Sequence, residues 1–194
     1  MKHNPIDKVY EFAFKGLLTE EALDRAGRKN RKSIGLSDEL ISQTLSIDLM
    51  DEKIVNASRK MAIVYIATAS FESSVRELIS GVLAEAKGET WWSEIAKGIR
   101  EPAEKRMEEE KKAKWHTQRG DSPINYTTLG NLLAIMRLNW DQFEPYIRDI
   151  EWASAIFDAI ERSRNVIMHS GQLEKADIER LGIYIRDWIK QVGT

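Results

Sequence analysis

From residue 48 to residue 86 the chain carries no proline, and Ile54, Met61, Tyr65, Thr68, Phe71, Val75, Leu78, Ile79 and Val82 recur at helical spacing. A stripe of that length and period fits one or two long helices, because a strand buries alternate residues over a much shorter run. Such a spine covers only part of the core, so other helices must pack on it. The rest of the chain agrees: there is no sustained period-two alternation and no Asn-Gly or Asp-Gly hairpin signal, and 11 Gly and 4 Pro in 194 residues leave long stretches unbroken. The predicted fold is all-α, with one or two long helices forming its spine.

A first amphipathic helix is predicted over residues 6–18, with Val9, Phe12, Ala13 and Leu17 at core spacing; the basic, Gly-containing stretch over 25–35 then reads as a linker. This divides the chain into an N-terminal helix and basic linker, residues 1–35, and a helical domain, residues 36–194. Beyond the spine, Gly88 is the expected stop, and Trp91-Trp92 opens a short helix ending near Gly98. Pro102 suits the first turn of a helix over 101–114, where Glu101, Glu108 and Glu110 each stand four residues before a lysine. Thr127 or Thr128 can cap a helix through Leu129, Leu132, Leu133 and Met136, and Trp140 and Phe143 begin a short turn stopped at Pro145. Two final helices, over 149–170 and 175–192, are separated by Gly171 as a C-cap.

Composition removes several kinds of chemistry. With no cysteine there are no disulfides, thiolate metal sites or cysteine nucleophiles, and a reducing cytoplasm is the expected location. The N-terminus lacks the apolar core of a secretory signal, and no segment approaches a membrane-spanning apolar run, so no membrane partner is expected. A formal net charge of -2 argues against nonspecific coating of nucleic acid, which rests on many cationic contacts to phosphate. Any nucleic-acid role must come from a local patch. Arg25, Arg28, Lys29, Arg31 and Lys32 form one such patch, readable as a solvated linker or as a phosphate or partner contact. His116, between Lys112 and Arg119, is either an extension of such a patch or an idle loop histidine. The six tryptophans are expected mainly in core or interface. Three scattered histidines make no metal site, and no cofactor is expected.

One constellation carries chemistry. On a helix through residues 152–170, Trp152, Ile156, Ile160, Ser163 and Ile167 form a single stripe, while Asp158, Glu161, Arg162, Asn165 and His169 fall roughly opposite. His169 is therefore off the core face. Asn165 lies one turn before it and Arg164 precedes Asn165, which collects a guanidinium, an amide and an imidazole at a helix end. Arginine grips phosphate bidentately, asparagine orients a base or a phosphate oxygen, and imidazole moves protons near neutral pH.

The string Arg164-Asn165-Val166-Ile167-Met168-His169 resembles the Arg-polar-x-x-x-His signature of HEPN ribonuclease domains. Upstream, the segments Phe71-Glu72-Ser73-Ser74-Val75-Arg76-Glu77-Leu78, Trp91-Trp92, Tyr126-Thr127-Thr128-Leu129-Gly130-Asn131-Leu132 and Trp140 are similar to the Swt-type HEPN subgroup, so the resemblance spans roughly residues 50–192. It implies a helical bundle that forms a symmetric homodimer with the motif helices facing each other, and an endoribonuclease that needs no metal. Arg164 would stabilise charge on the phosphoryl oxygens, Asn165 would position the phosphate, and His169 would serve as acid or base. Glu72 and Arg76, one turn apart, form either a buried ion pair that holds the motif or a surface pair.

Residues five apart on a straight helix point about 140° from each other, so Arg164 and His169 do not share a face, whereas Arg162 and His169 nearly do. The family pattern favours Arg164, and Arg162 is the rival. Some HEPN toxins carry a tyrosine three residues after the histidine; Gln172 stands there in this chain, which puts neutralisation by modification of that residue in doubt. The expectation is an RNA-cleaving enzyme of a stress, toxin-antitoxin or phage-defence setting, with an antitoxin or defence-system protein as a possible partner. The alternatives are a HEPN-fold module that binds RNA or a nucleotide without cutting, and a protein-binding helical scaffold.

Overall fold

The computed structural model describes Thr19 and residues 37–193. The predicted helix over 6–18 and the basic residues Arg25, Arg28, Lys29, Arg31 and Lys32 lie outside the described residues. The chain divides between Met50 and Asp51 into two compact units. In the first, helix α1 (Asp38–Thr44) starts at Ser37, whose Oγ accepts from the Leu40 amide at 3.2 Å, and a 3-10 turn follows at Ile47–Leu49.

The second unit holds α2 (Glu52–Lys87), α3 (Lys97–Lys112), α4 (Leu129–Leu138), α5 (Trp140–Phe143), α6 (Ile150–Met168) and α7 (Lys175–Val192), with 3-10 turns at Trp91–Glu94 and Pro123–Tyr126. The architecture is all-α. The spine is one helix of 36 residues, about 54 Å at 1.5 Å per residue, rather than two. Asp51 caps its start by accepting from the amides of Lys53 and Ile54, and Gly88, at φ 77°, ends it with a bond to the Ala84 carbonyl. Its buried face is Met61, Val64, Thr68, Phe71, Val75, Ile79, Val82 and Leu83. Ile54 and Tyr65, expected in that stripe, are exposed, and Val64 occupies the inward position beside Tyr65.

Helices α4, α6 and α7 cover the spine. Ile135, Met136, Ile156, Ile160 and Phe143 are wholly buried, and Trp188 of α7 joins Phe71 and Phe157 edge-on at 5.5 Å each while stacking on Trp152 at 5.8 Å. Thr128, not Thr127, caps α4, in a capping box with Asn131: each side chain accepts from the other's backbone amide. Thr127 instead is buried, its hydroxyl donating to the Ile124 carbonyl at 2.6 Å.

The α3 region departs from expectation. Trp91-Trp92 form a 3-10 turn rather than a helix reaching Gly98, and α3 begins at Lys97, four residues before the predicted start. Burial of Ile99 and Ala103, one turn apart on the same face, extends the helix backward and leaves Pro102 inside it. The anticipated glutamate-lysine pairs give way to others. Lys105 stands 4.0 Å from Glu109, Lys111 bonds Glu108, and Glu110 reaches beyond the helix to Arg119 at 2.7 Å.

Candidate functional site

Burial of Ile156, Phe157, Ile160 and Ser163 fixes the rotation of α6, and the Ser163 hydroxyl is satisfied by the Ala159 carbonyl at 2.9 Å. That rotation turns Arg162, Asn165 and His169 to solvent and leaves Arg164 half-buried at the edge. The Arg164 Nε lies 3.7 Å from Glu72 Oε2 on the spine. The other Glu72 oxygen accepts from Arg76 Nη2 at 3.1 Å, and Arg76 also donates to the carbonyls of Ile124 at 3.4 Å and Thr127 at 3.3 Å. Glu72, only 13% exposed, thus stands between two guanidinium groups and links the spine, the 3-10 turn before α4 and the motif helix. The pair is largely shielded from water rather than a surface pair.

Arg164 opens onto a polar groove of about 670 Å³ whose walls include Tyr65, Ser73, Arg76, Arg106, Arg119 and Thr128. Arg162 opens onto a different groove, about 500 Å³, between α6 and α7, where Asp158, Asp177 and Arg180 surround it. The two candidate arginines are therefore separated by the body of the helix. Of the two, Arg164 is the one held by the Glu72 carboxylate and exposed to other cations.

His169 is the C-cap of α6, with φ -99° and ψ 23°, so the helix ends one residue before the imidazole instead of at Ser170. Ser170 takes the left-handed conformation at φ 61°, its amide bonding the Ile167 carbonyl at 3.0 Å, while the Gly171 amide bonds the Val166 carbonyl at 2.8 Å. This is a Schellman closure in which Gly171 is the second residue past the cap, not the C-cap. Glycine is required for a steric reason: a Cβ there would meet the Val166 carbonyl oxygen at 2.8 Å and Val166 Cγ1 at 2.7 Å. The return loop is tied to the spine, since the Leu173 amide donates to Met61 Sδ at 3.3 Å. Met168, Ser170, Gly171 and Gln172 share a mainly apolar groove of about 600 Å³ with Ile54, Met61, Ala62 and Tyr65. In the motif helix, Met168 is 55% exposed and Val166 38%.

Among the described residues, no three His, Asp or Glu side chains stand together as metal ligands, and no helix is long and apolar enough to cross a membrane. Trp91 and Trp188 are buried and Trp92, Trp140 and Trp152 partly buried, whereas Trp115 is 87% exposed. Arg106 and Arg119 escaped the sequence reading as groove residues. Nothing in their spacing links them to Arg164, because the connection runs through the packing of α3 on the Pro123–Tyr126 turn.

Glu72→Gln keeps the shape of the side chain and removes the charge that faces Arg164 and Arg76. It is expected to lower stability by about 1–3 kcal/mol in thermal unfolding, since a mostly buried ionic network loses its only anion. The coupling is specific: in a double-mutant cycle the Glu72→Gln and Arg164→Ala effects should be less than additive, and full additivity would show that the 3.7 Å contact transmits nothing.

No curated protein and no solved structure matches the chain. The model of the Swt1-like HEPN family matches residues 67–193, a span that begins within the spine and takes in Glu72, Arg76, the whole of α6 and the closure around His169. Match, helical architecture and the ordered motifs agree, and the chain belongs to the Swt1-like HEPN family.

Proposed function

We propose that this protein is an endoribonuclease that cleaves RNA without a metal ion, at a site built from Arg164, Asn165 and His169 and shared between two copies of the chain. HEPN domains are often RNases, which supports an RNA-directed activity. The observation that carries the finer reading is the state of the motif: the Arg164 guanidinium faces the Glu72 carboxylate at 3.7 Å, while the Asn165 amide and the His169 imidazole are exposed at a helix end whose backbone is locked by a Schellman closure.

The chemistry follows from these groups. A base takes the proton of a ribose 2'-hydroxyl, whose oxygen attacks the neighbouring phosphorus; the bond from phosphorus to the 5'-oxygen breaks, and that oxygen receives a proton from an acid. A 2',3'-cyclic phosphate and a 5'-hydroxyl result, with no redox change and no water consumed in this step. His169 is the group for proton transfer, Arg164 neutralises the phosphoryl oxygens as charge builds, and Asn165 orients the phosphate. Arg76 and Glu72 position Arg164.

A single chain offers one imidazole at the motif where the reaction needs both an acid and a base. Val166 and Met168, exposed within the motif itself, are apolar side chains of the kind that a second copy covers, and a two-fold axis there would bring two histidines to one cleft. The proposed setting is a stress, toxin-antitoxin or phage-defence system, with an antitoxin or defence-system protein as the partner class.

The test is incubation of purified protein with labelled RNA in excess EDTA, followed by analysis of the ends. Cyclic phosphate and 5'-hydroxyl ends are expected. Ends carrying a 5'-phosphate, or cleavage that disappears in EDTA, would refute the mechanism.

A further inference from the structure

We infer that the turn after α3 is a capture platform for an unpaired RNA base, with Trp115 as its stacking surface; this rests on the RNA-directed reading above. Trp115 is 87% exposed and is the exception among tryptophans that otherwise pack inward. Leaving an indole in water forfeits the burial that makes tryptophan worth using in a core and keeps its ring available to a stacking partner. The turn is built to present it: the Ala113 amide closes on the Glu110 carbonyl and the His116 amide on the Ala113 carbonyl, both at 3.0 Å. The His116 ring stands edge-on to the indole at 5.3 Å, braced by a hydrogen bond from its Nδ1 to the Thr117 carbonyl at 2.8 Å. The indole stays open to solvent beside it.

The charges around the indole suit a nucleic acid strand. Lys111, Lys112, Lys114 and Arg119 surround it in sequence, and among the described residues Lys112 and Lys114 have no ion-pair partner. Glu108 and Glu110 occupy Lys111 and Arg119, which leaves two free ammonium groups next to an exposed aromatic, a pairing used in sequence-tolerant single-strand binding. Duplex RNA keeps its bases stacked inside the helix and has none to offer an indole.

The platform is joined to the cleavage site. Arg119, four residues after Trp115 and so at most about 14 Å away along the chain, lies with its guanidinium carbon 5.6 Å above the Tyr126 ring and lines the polar groove with Arg106, Arg76 and Arg164. A strand stacked on Trp115 lies close in the chain to a groove that Arg119 shares with Arg164. The substrate class assigned to the site is therefore RNA with an unpaired nucleotide a few positions from the scissile bond, as in a loop or an open end.

The test uses the full chain carrying His169→Ala, so that bound RNA survives, and fluorescence anisotropy of a short unstructured RNA strand and of the same strand annealed to its complement. Adding Trp115→Ala should weaken single-strand binding about tenfold or more and leave duplex binding within twofold, and Trp115→Phe should recover most of the loss. Because the side chain is exposed, the melting temperature of Trp115→Ala should match its parent, which excludes misfolding as the cause. Tight single-strand binding that ignores Trp115→Ala, or an equal loss for strand and duplex, overturns the platform while leaving the nuclease reading intact. Absence of RNA binding by the parent overturns both.

Discussion

His169→Ala is expected to lower RNA cleavage by about 10²–10⁴-fold, the usual worth of one positioned acid or base, with little change in thermal stability. The separation of the two effects comes from the fold. His169 is exposed and lies past the last helical residue, and the bonds that close α6 run through the backbone of Ser170 and Gly171 rather than through the imidazole. Arg164→Ala should cost about 10²–10³-fold, as does loss of one group that stabilises transition-state charge. Arg162→Ala should stay within a few-fold of wild type, since its groove with Asp158, Asp177 and Arg180 faces elsewhere. The reverse ranking of the two arginines would assign the site to the α6–α7 groove. Mixing adds a test of sharing: with a roughly tenfold excess of His169→Ala chains, activity per wild-type chain should fall about tenfold if each cleft needs both protomers, and should be unchanged if each chain cuts alone.

Trp188→Ala is expected to have the largest effect on stability, about 3–5 kcal/mol, seen as a fall in melting temperature of roughly 10–15 °C. The indole is 2% exposed and, among the described residues, is the one that makes ring contacts with all of Phe71 of the spine, Phe157 of the motif helix and Trp152 at the start of that helix. Removing it opens a cavity at the point where α2, α6 and α7 meet, and a domain whose total stability is of the order of 5–15 kcal/mol gives up a large part of it. Trp115→Ala in the same assay is the contrast, one tryptophan that holds the fold and one that does not. A small shift for Trp188→Ala would mean that the three helices close around the void without loss.

What could be read from the sequence was whatever depends on neighbours in the chain. The spine, α7 and the stripe of Ile156, Ile160 and Ser163 follow from period alone, and α7 spans the predicted residues. The start of α3 did not follow, because Pro102 is a strong local signal and the burial of Ile99 and Ala103 that overrides it is tertiary. Gly171 was located as the residue that ends α6, but the left-handed position belongs to Ser170, a shift of one residue that only backbone geometry decides. At the candidate site the motif was visible as a string and the surroundings of its two arginines were not. The angle between Arg164 and His169 on a helix made Arg162 a rival, and what separates the two is Glu72, distant in sequence and adjacent in space. Arg106 and Arg119 were beyond reach for the same reason.

The carboxylate between Arg76 and Arg164 also bears on the thermodynamics of substrate capture. An arginine side chain free in water surrenders about 2 kcal/mol of rotamer entropy when it closes on a phosphate. Arg164, with its Nε 3.7 Å from the Glu72 carboxylate, gives up part of that freedom when the protein folds. Substrate association should therefore carry a smaller entropic penalty in the native chain than in Glu72→Gln, and calorimetry of the two would register the difference chiefly in the entropy of binding, with the enthalpy much the same.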